Sequence, residues 1–214
     1  FRNTLLIGVY NQLFSFPVPI IFAVFFNELK HIKFKKTVQT ITYAPHFLSV
    51  VVICSLCLIL FSPRTGIVNT AIEKLGNERI FFMAEPKYFK HIYVWSGIWQ
   101  NCGWNSIIYM AALSSVSQEL HEAAMIDGAS RLKRMWYVDI PAITPTIAIM
   151  LILRATSIIG VGAEKVLLMQ SPLNTSTSEV VSTFIFKKAI GSVRSYSYGG
   201  AVGLFQTAIN LGLL

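Results

Sequence analysis

Apolar residues run through this chain in long intervals that no charged side chain interrupts, and the polar residues are gathered between them. A hydrocarbon layer about 30 Å thick takes roughly 20 residues of helix, so such intervals predict membrane-spanning helices. Five are predicted, over residues 5–26, 44–61, 92–113, 142–163 and 201–214, the last cut short by the end of the chain. Pro17 and Pro19 predict a kink in the first, and Arg154 is the single charge in the fourth. Strands are excluded by pattern, because a membrane barrel alternates with period two and these runs are too long and continuous. No internal repeat and no low-complexity segment is visible. The expected fold is an all-α polytopic membrane protein, a helical bundle forming a single domain over residues 1–214. Opening at Phe1 and closing at Leu214 inside an apolar run, the sequence reads as a piece of a longer protein.

The polar intervals differ in kind. Residues 28–36 hold Lys30, Lys33, Lys35 and Lys36, the densest basic cluster of the chain. Residues 64–90 carry the breakers Gly66, Gly76 and Pro86 and predict an ordered extramembrane loop. Residues 164–194 form a second such loop, in which residues 180–186 are apolar enough to lie along the membrane interface. Residues 114–141 are the least membrane-like part, a polar island between two spans. In it Leu120, Ala123, Ala124 and Ile126 follow a helical period and Asp127-Gly128 supplies a stop. Ser130 can cap a second short helix with Leu132, Met135 and Trp136 on one side and Arg131, Lys133 and Arg134 mostly on the other, until Pro141 forces a new start. Small Ala123 and Ala124 let a partner surface come close, Glu122 offers it a carboxylate, and Gly128 turns the second helix away without steric cost.

The island carries Glu122, Ala123 and Ala124, then Gly128, then Val138, Ile140 and Pro141. At these seven positions the chain resembles the permease subunits of ABC importers, whose signature is Glu-Ala-Ala, three residues, Gly, nine residues, a branched aliphatic, one residue, an aliphatic and Pro. Valine and isoleucine stand where that family more often has isoleucine and leucine. Flanking Asp127, Ala129, Trp136 and Pro145 are similar to the carbohydrate-uptake branch, especially permeases for oligosaccharides and complex polysaccharides. The resemblance implies that the island is a cytoplasmic coupling helix-turn-helix seated in a cleft of a separate ATPase subunit, with Glu122, Ala123, Ala124, Asp127, Gly128, Ile140 and Pro141 carrying the coupling. It also implies ATP-binding ABC subunits, a second homologous permease, an extracytoplasmic solute-binding protein and a multi-pass place in the cell membrane. A sugar or oligosaccharide is the expected solute, a peptide or other solute the alternative.

Composition agrees with a membrane chain: 54% of residues are hydrophobic and 13% charged, against about 25% charged in an ordinary soluble domain. A formal charge of +8 would suggest nucleic acid in a soluble protein, but the basic residues flank apolar runs, so lipid headgroups are the expected counter-charge and nucleic acid is not expected as a partner. Lys and Arg number seven on the side of residues 27–40 and 114–141 and nine on the other, so counting does not orient the chain. The tight cluster after the first span assigns that side to the cytoplasm.

Candidate chemistry is sparse. No Gly-x4-Gly-Lys-Ser/Thr occurs, so an ATPase would be another polypeptide. His121-Glu122-Ala-Ala-Met125 puts methionine where a zinc protease needs its second histidine, so no metal and no cofactor is expected. Cys54 and Cys57 have redox spacing but sit in an apolar run, where small-residue packing explains them. A membrane enzyme, such as a lipid-modifying transferase, would show clustered acidic or histidine residues at the interface, and a scaffold would give the polar island no purpose. No catalytic residue is expected. For a solute pathway the candidates are Arg154, read as a gate residue or an interhelical partner, and Trp104, Asn105 and Tyr109 on the third span, read as sugar contacts or as ordinary anchoring and packing.

Overall fold

The protein, a computed structural model, is described over residues 1–155, 158–190 and 196–212, and those residues contain helices and no strand. In chain order the helices are α1 Arg2–Ser15, α2 Pro17–Asn27, α3 Ile32–Tyr43, α4 Val50–Leu60, α5 Ile67–Lys74, α6 Pro86–Ser114, α7 Gln118–Ile126, α8 Arg131–Arg134, α9 Ile140–Ala155, α10 Ala163–Met169, α11 Thr175–Ser178, α12 Val181–Ile190 and α13 Tyr196–Gly212. Among the described residues Arg2–Asn27, with 26 residues, and Arg131–Ala155, with 25, are long and apolar enough to cross a membrane. The pair Ile32–Phe47 and Val50–Leu60 adds a third if it is one broken span.

Several predicted boundaries move, each for a local reason. The first span breaks at Phe16, where Pro17 opens α2. The 44–61 interval is not one helix: a 3-10 turn over Ala44–Phe47 extends α3, and α4 begins afresh after Ser49, whose hydroxyl accepts from the Val52 amide at 3.3 Å. The 92–113 interval belongs to a helix of 29 residues that starts at Pro86, because proline at a helix start loses no internal hydrogen bond. The 142–163 interval is displaced towards the N-terminus. Its helix is already under way before Pro141 and ends at Ala155, and residues 156 and 157 lie outside the described residues. The 201–214 interval lies in α13 as far as Gly212, with residues 213 and 214 outside the described residues.

The chain divides into two compact units. One comprises Phe1–Gln12, Leu48–Gly97 and Ala155–Leu214. Its core packs Ile7, Cys54, Cys57, Phe89, Val166 and Val180, so both cysteines of the redox-like spacing are small packing residues. Two buried asparagines organise the segments between its helices. Asn69 Nδ2 donates to the carbonyls of Ser62 at 3.0 Å and Ile80 at 2.9 Å while its Oδ1 accepts from the Ile80 amide at 2.8 Å. Asn174 Nδ2 donates to the Met83 carbonyl at 2.8 Å and Oδ1 accepts from the Ser171 amide at 2.9 Å. Nearby, Arg79 donates to Glu73 at 2.6 Å and holds that carboxyl below its usual range, but the pair is exposed and adds little stability. The buried amide decides the loop. Asn69→Ala would strand its partners at about 1–3 kcal/mol, so faster tryptic cleavage at Arg64 and Arg79 in membrane vesicles is the expected result; an unchanged rate would assign the loop's order to other contacts.

The second unit comprises Leu13–Phe47 and Ile98–Arg154. Ile20, Ala23 and Val24 of α2 pack with Tyr109 and Leu113 of α6, with Met135 ahead of α9 and with Ile143 of α9. Where α3 passes α6, a methyl group on Gly103 would stand 2.2 Å from the Thr42 carbonyl oxygen, so only glycine allows this approach. On α9 Ile149, Leu151, Ile152 and Leu153 are exposed, a surface that suits hydrocarbon rather than water.

Candidate functional site

The polar island folds as a helical hairpin. Ser117 caps α7, its hydroxyl accepting from the Glu119 amide at 3.2 Å. At the far end Gly128 takes φ +74°, the Ala129 amide reaches back to the Ala124 carbonyl at 2.9 Å, and the Gly128 amide to that of Met125 at 3.1 Å. These two bonds are the glycine-terminated helix stop that the Asp127-Gly128 pair predicts. Ser130 then caps α8, accepting from the Lys133 amide at 3.5 Å. Glu122, Ala123, Asp127 and Gly128 are exposed and Ala124 is half-buried, so this part of the motif faces outward. So does apolar surface: Ile126 is 87% exposed, Leu120 and Met125 are exposed on the same arm, and Leu132, Trp136 and Tyr137 are exposed on the other.

The second arm departs from expectation. Leu132 and Trp136 are exposed, whereas Met135 turns into the core. Pro141 does not start a new helix. The arm continues through a single π-helical turn over Met135–Asp139, in which the Ile140 amide reaches the Met135 carbonyl, straight into α9. A wide turn ahead of proline re-registers the hydrogen bonds that its ring would otherwise obstruct. The hairpin's second arm and α9 are therefore one continuous helical rod.

The pathway candidates separate. Tyr109 is 2% exposed and packs in the core, so it presents no surface to a solute. Trp104 is exposed, and His46 stacks on it with centroids 4.6 Å apart and planes 4° from parallel. Phe47 meets Trp104 edge-on at 5.6 Å, and His46 Nδ1 lies 3.0 Å from Asn101 Oδ1. Asn105 is half-buried one residue on. His46, Phe47 and Asn101 escaped sequence reasoning because no spacing links residues on α6 to the turn after α3. Arg154 lies in the last turn of α9, where a cation favours the helix terminus, and its Nη1 donates to Ser15 Oγ at 3.3 Å. Among the described residues no group of three or more His, Cys, Asp and Glu is placed to hold a metal.

Residues 5–210 match the family described as binding-protein-dependent transport system inner membrane component. The chain belongs to this family. It is accordingly a permease of the inner membrane. Protein LplB of Bacillus subtilis is 39% identical over 213 residues, covering 100% of this chain and 67% of its own length. The polygalacturonan/rhamnogalacturonan transport system permease protein YteP of the same organism is 38% identical over 213 residues, covering 100% of this chain and 66% of its own. The permease thus spans about two thirds of these relatives. Among solved structures, that of a bacterial ABC transporter involved in the import of the acidic polysaccharide alginate superposes with a TM-score of 0.95 at 37% identity, covering 99% of this chain and 74% of that one. The same similarity, over 100% of this chain, holds for the bacterial alginate transporter in complex with its alginate pentasaccharide-bound periplasmic protein. YteP is by name a transport system permease protein, and both solved structures are of an ABC transporter.

Proposed function

We propose that this permease carries an oligosaccharide inward through the cell membrane, receives it from an extracytoplasmic solute-binding protein, and is driven by ATP-binding subunits that dock on the hairpin of residues 122–141. A second, homologous permease completes the pathway, and lipid covers the exposed face of α9. The observation that carries this reading is the hairpin, which offers Glu122, Ala123, Ala124, Asp127 and Gly128 beside exposed Leu120, Met125 and Ile126, and whose second arm is continuous with α9. Apolar side chains so exposed on a polar segment call for a partner protein. Ile140 and Pro141 join hairpin to rod, so displacement at the tip moves the helix itself. Support for the solute comes from the polysaccharides named for the relatives and from the exposed Trp104, an aromatic of the kind that stacks on the C–H face of a sugar, with the amide of Asn105 one residue on.

The test is uptake by the assembled transporter, with its solute-binding protein, of a panel of neutral oligosaccharides, uronate-containing oligosaccharides and peptides. Saturable, ATP-dependent uptake of an oligosaccharide is expected; uptake of peptides alone would replace the sugar assignment, and ATP-independent uptake would remove the proposed drive.

A further inference from the structure

Two residues that the motif skips meet in space. His121 precedes Glu122 on α7, Asp139 precedes Ile140 and Pro141 at the end of the π turn, and His121 Nε2 lies 3.4 Å from Asp139 Oδ1. Met135, Asp139 and Ile143, four residues apart, form the inward stripe of this arm, and Asp139 is its polar member. It is 0% exposed, and neither carboxylate oxygen accepts a hydrogen bond. Packing alone would favour an aliphatic residue there, because burying a carboxylate costs free energy that only compensating charge returns.

Basic side chains stand nearby. His121 approaches Asp139 from α7, and Arg134, on the same arm as Asp139, has its Nη2 3.7 Å from Glu28 Oε2 at the end of α2. Glu28, His121 and Arg134 line a cleft of about 430 Å³. Separations of 3.4 and 3.7 Å exceed the roughly 2.7–2.9 Å of a formed charge-assisted hydrogen bond. Each pair is therefore close but short of a formed bond, with room to tighten.

We propose that His121 and Asp139 are positioning residues that clasp the coupling hairpin at its base, with Arg134 and Glu28 tying it to α2. The inference rests on the coupling role proposed above. A hairpin hinged at a glycine bends when its tip is pushed. With the base clasped, a push on α7 reaches α9 and α2 instead of being lost at Gly128.

The test measures ATP hydrolysed per solute imported by the complete transporter in proteoliposomes. Asp139→Leu, an apolar side chain of similar size in a buried stripe, is expected to keep assembly and basal ATPase activity but to raise that ratio about fivefold. His121→Gln should do the same, the two together should do no more than either, and the exchange His121→Asp with Asp139→His should bring the ratio back towards the parent. A ratio within about twofold of the parent in Asp139→Leu, or multiplying effects in the double variant, would overturn the clasp. Where Asp139→Leu fails to assemble, the partly exposed His121→Gln carries the same readout. If the parent binds no ATPase, the coupling role falls and the clasp with it. If the parent binds ATPase but the ratio ignores these variants, the clasp alone falls.

Discussion

Gly128→Trp is expected to strip the ATPase subunits from the permease in detergent while the permease itself stays folded and inserted. Two features of the glycine separate its roles. Its φ of +74° favours a residue without a side chain, and a side chain forced into that region costs about 1–2 kcal/mol. Yet a Cβ built there meets nothing within 4 Å, so the chain's own packing has no objection to bulk. Gly128→Ala thus measures the backbone cost alone and should weaken ATPase association by at most about five- to twenty-five-fold, at tenfold per 1.4 kcal/mol. Gly128→Trp adds an indole projecting into the open space where a docked subunit must fit, and overpacking costs a further 1–3 kcal/mol or so. Loss of co-purified ATPase and of uptake, with membrane levels unchanged, is the expected pattern. Retained association and full uptake in Gly128→Trp would mean that the hairpin tip is not the docking surface.

The hairpin itself is legible because its turns are defined by local grammar. Ser117, Asp127-Gly128 and Ser130 act within one turn of their own positions, and each caps or stops the helix that the sequence places there. The breaks after Phe47 and before Pro86 were hidden by a stronger signal, the unbroken or broken run of charges, although Ser49 and Pro86 are ordinary helix openers. The π turn had no signal at all. Pro141 reads as a stop in any scheme that assumes regular hydrogen bonding, and only the structure shows the Ile140 amide, just ahead of it, bonding back to the Met135 carbonyl. Burial of Tyr109 was equally out of reach, since Trp104 and Tyr109 share a helix and differ only in what packs against them. Asp139 falls at an unspecified position of the signature, between Val138 and Ile140, and nothing in the spacing links it to His121 across the hairpin.

Arg154→Ala separates the two readings of that arginine. It donates to a hydroxyl, Ser15 Oγ at 3.3 Å, and it sits in the final turn of α9 rather than mid-helix. Losing a hydrogen bond from a charged group costs about 1.5–3 kcal/mol, and losing a cation at a helix terminus about 0.3–1 kcal/mol. Neither is enough to empty the membrane of a chain held by many buried contacts, so levels and ATPase association should survive. A residue of the solute pathway would instead show its loss in uptake at low solute concentration, by about tenfold for a charged hydrogen bond to a hydroxyl or carboxylate. Arg154→Lys should fall between, keeping the charge but not the planar fork. Reduced uptake with normal assembly places Arg154 on the pathway; normal uptake kinetics in Arg154→Ala would make it a tether for α1 and nothing more.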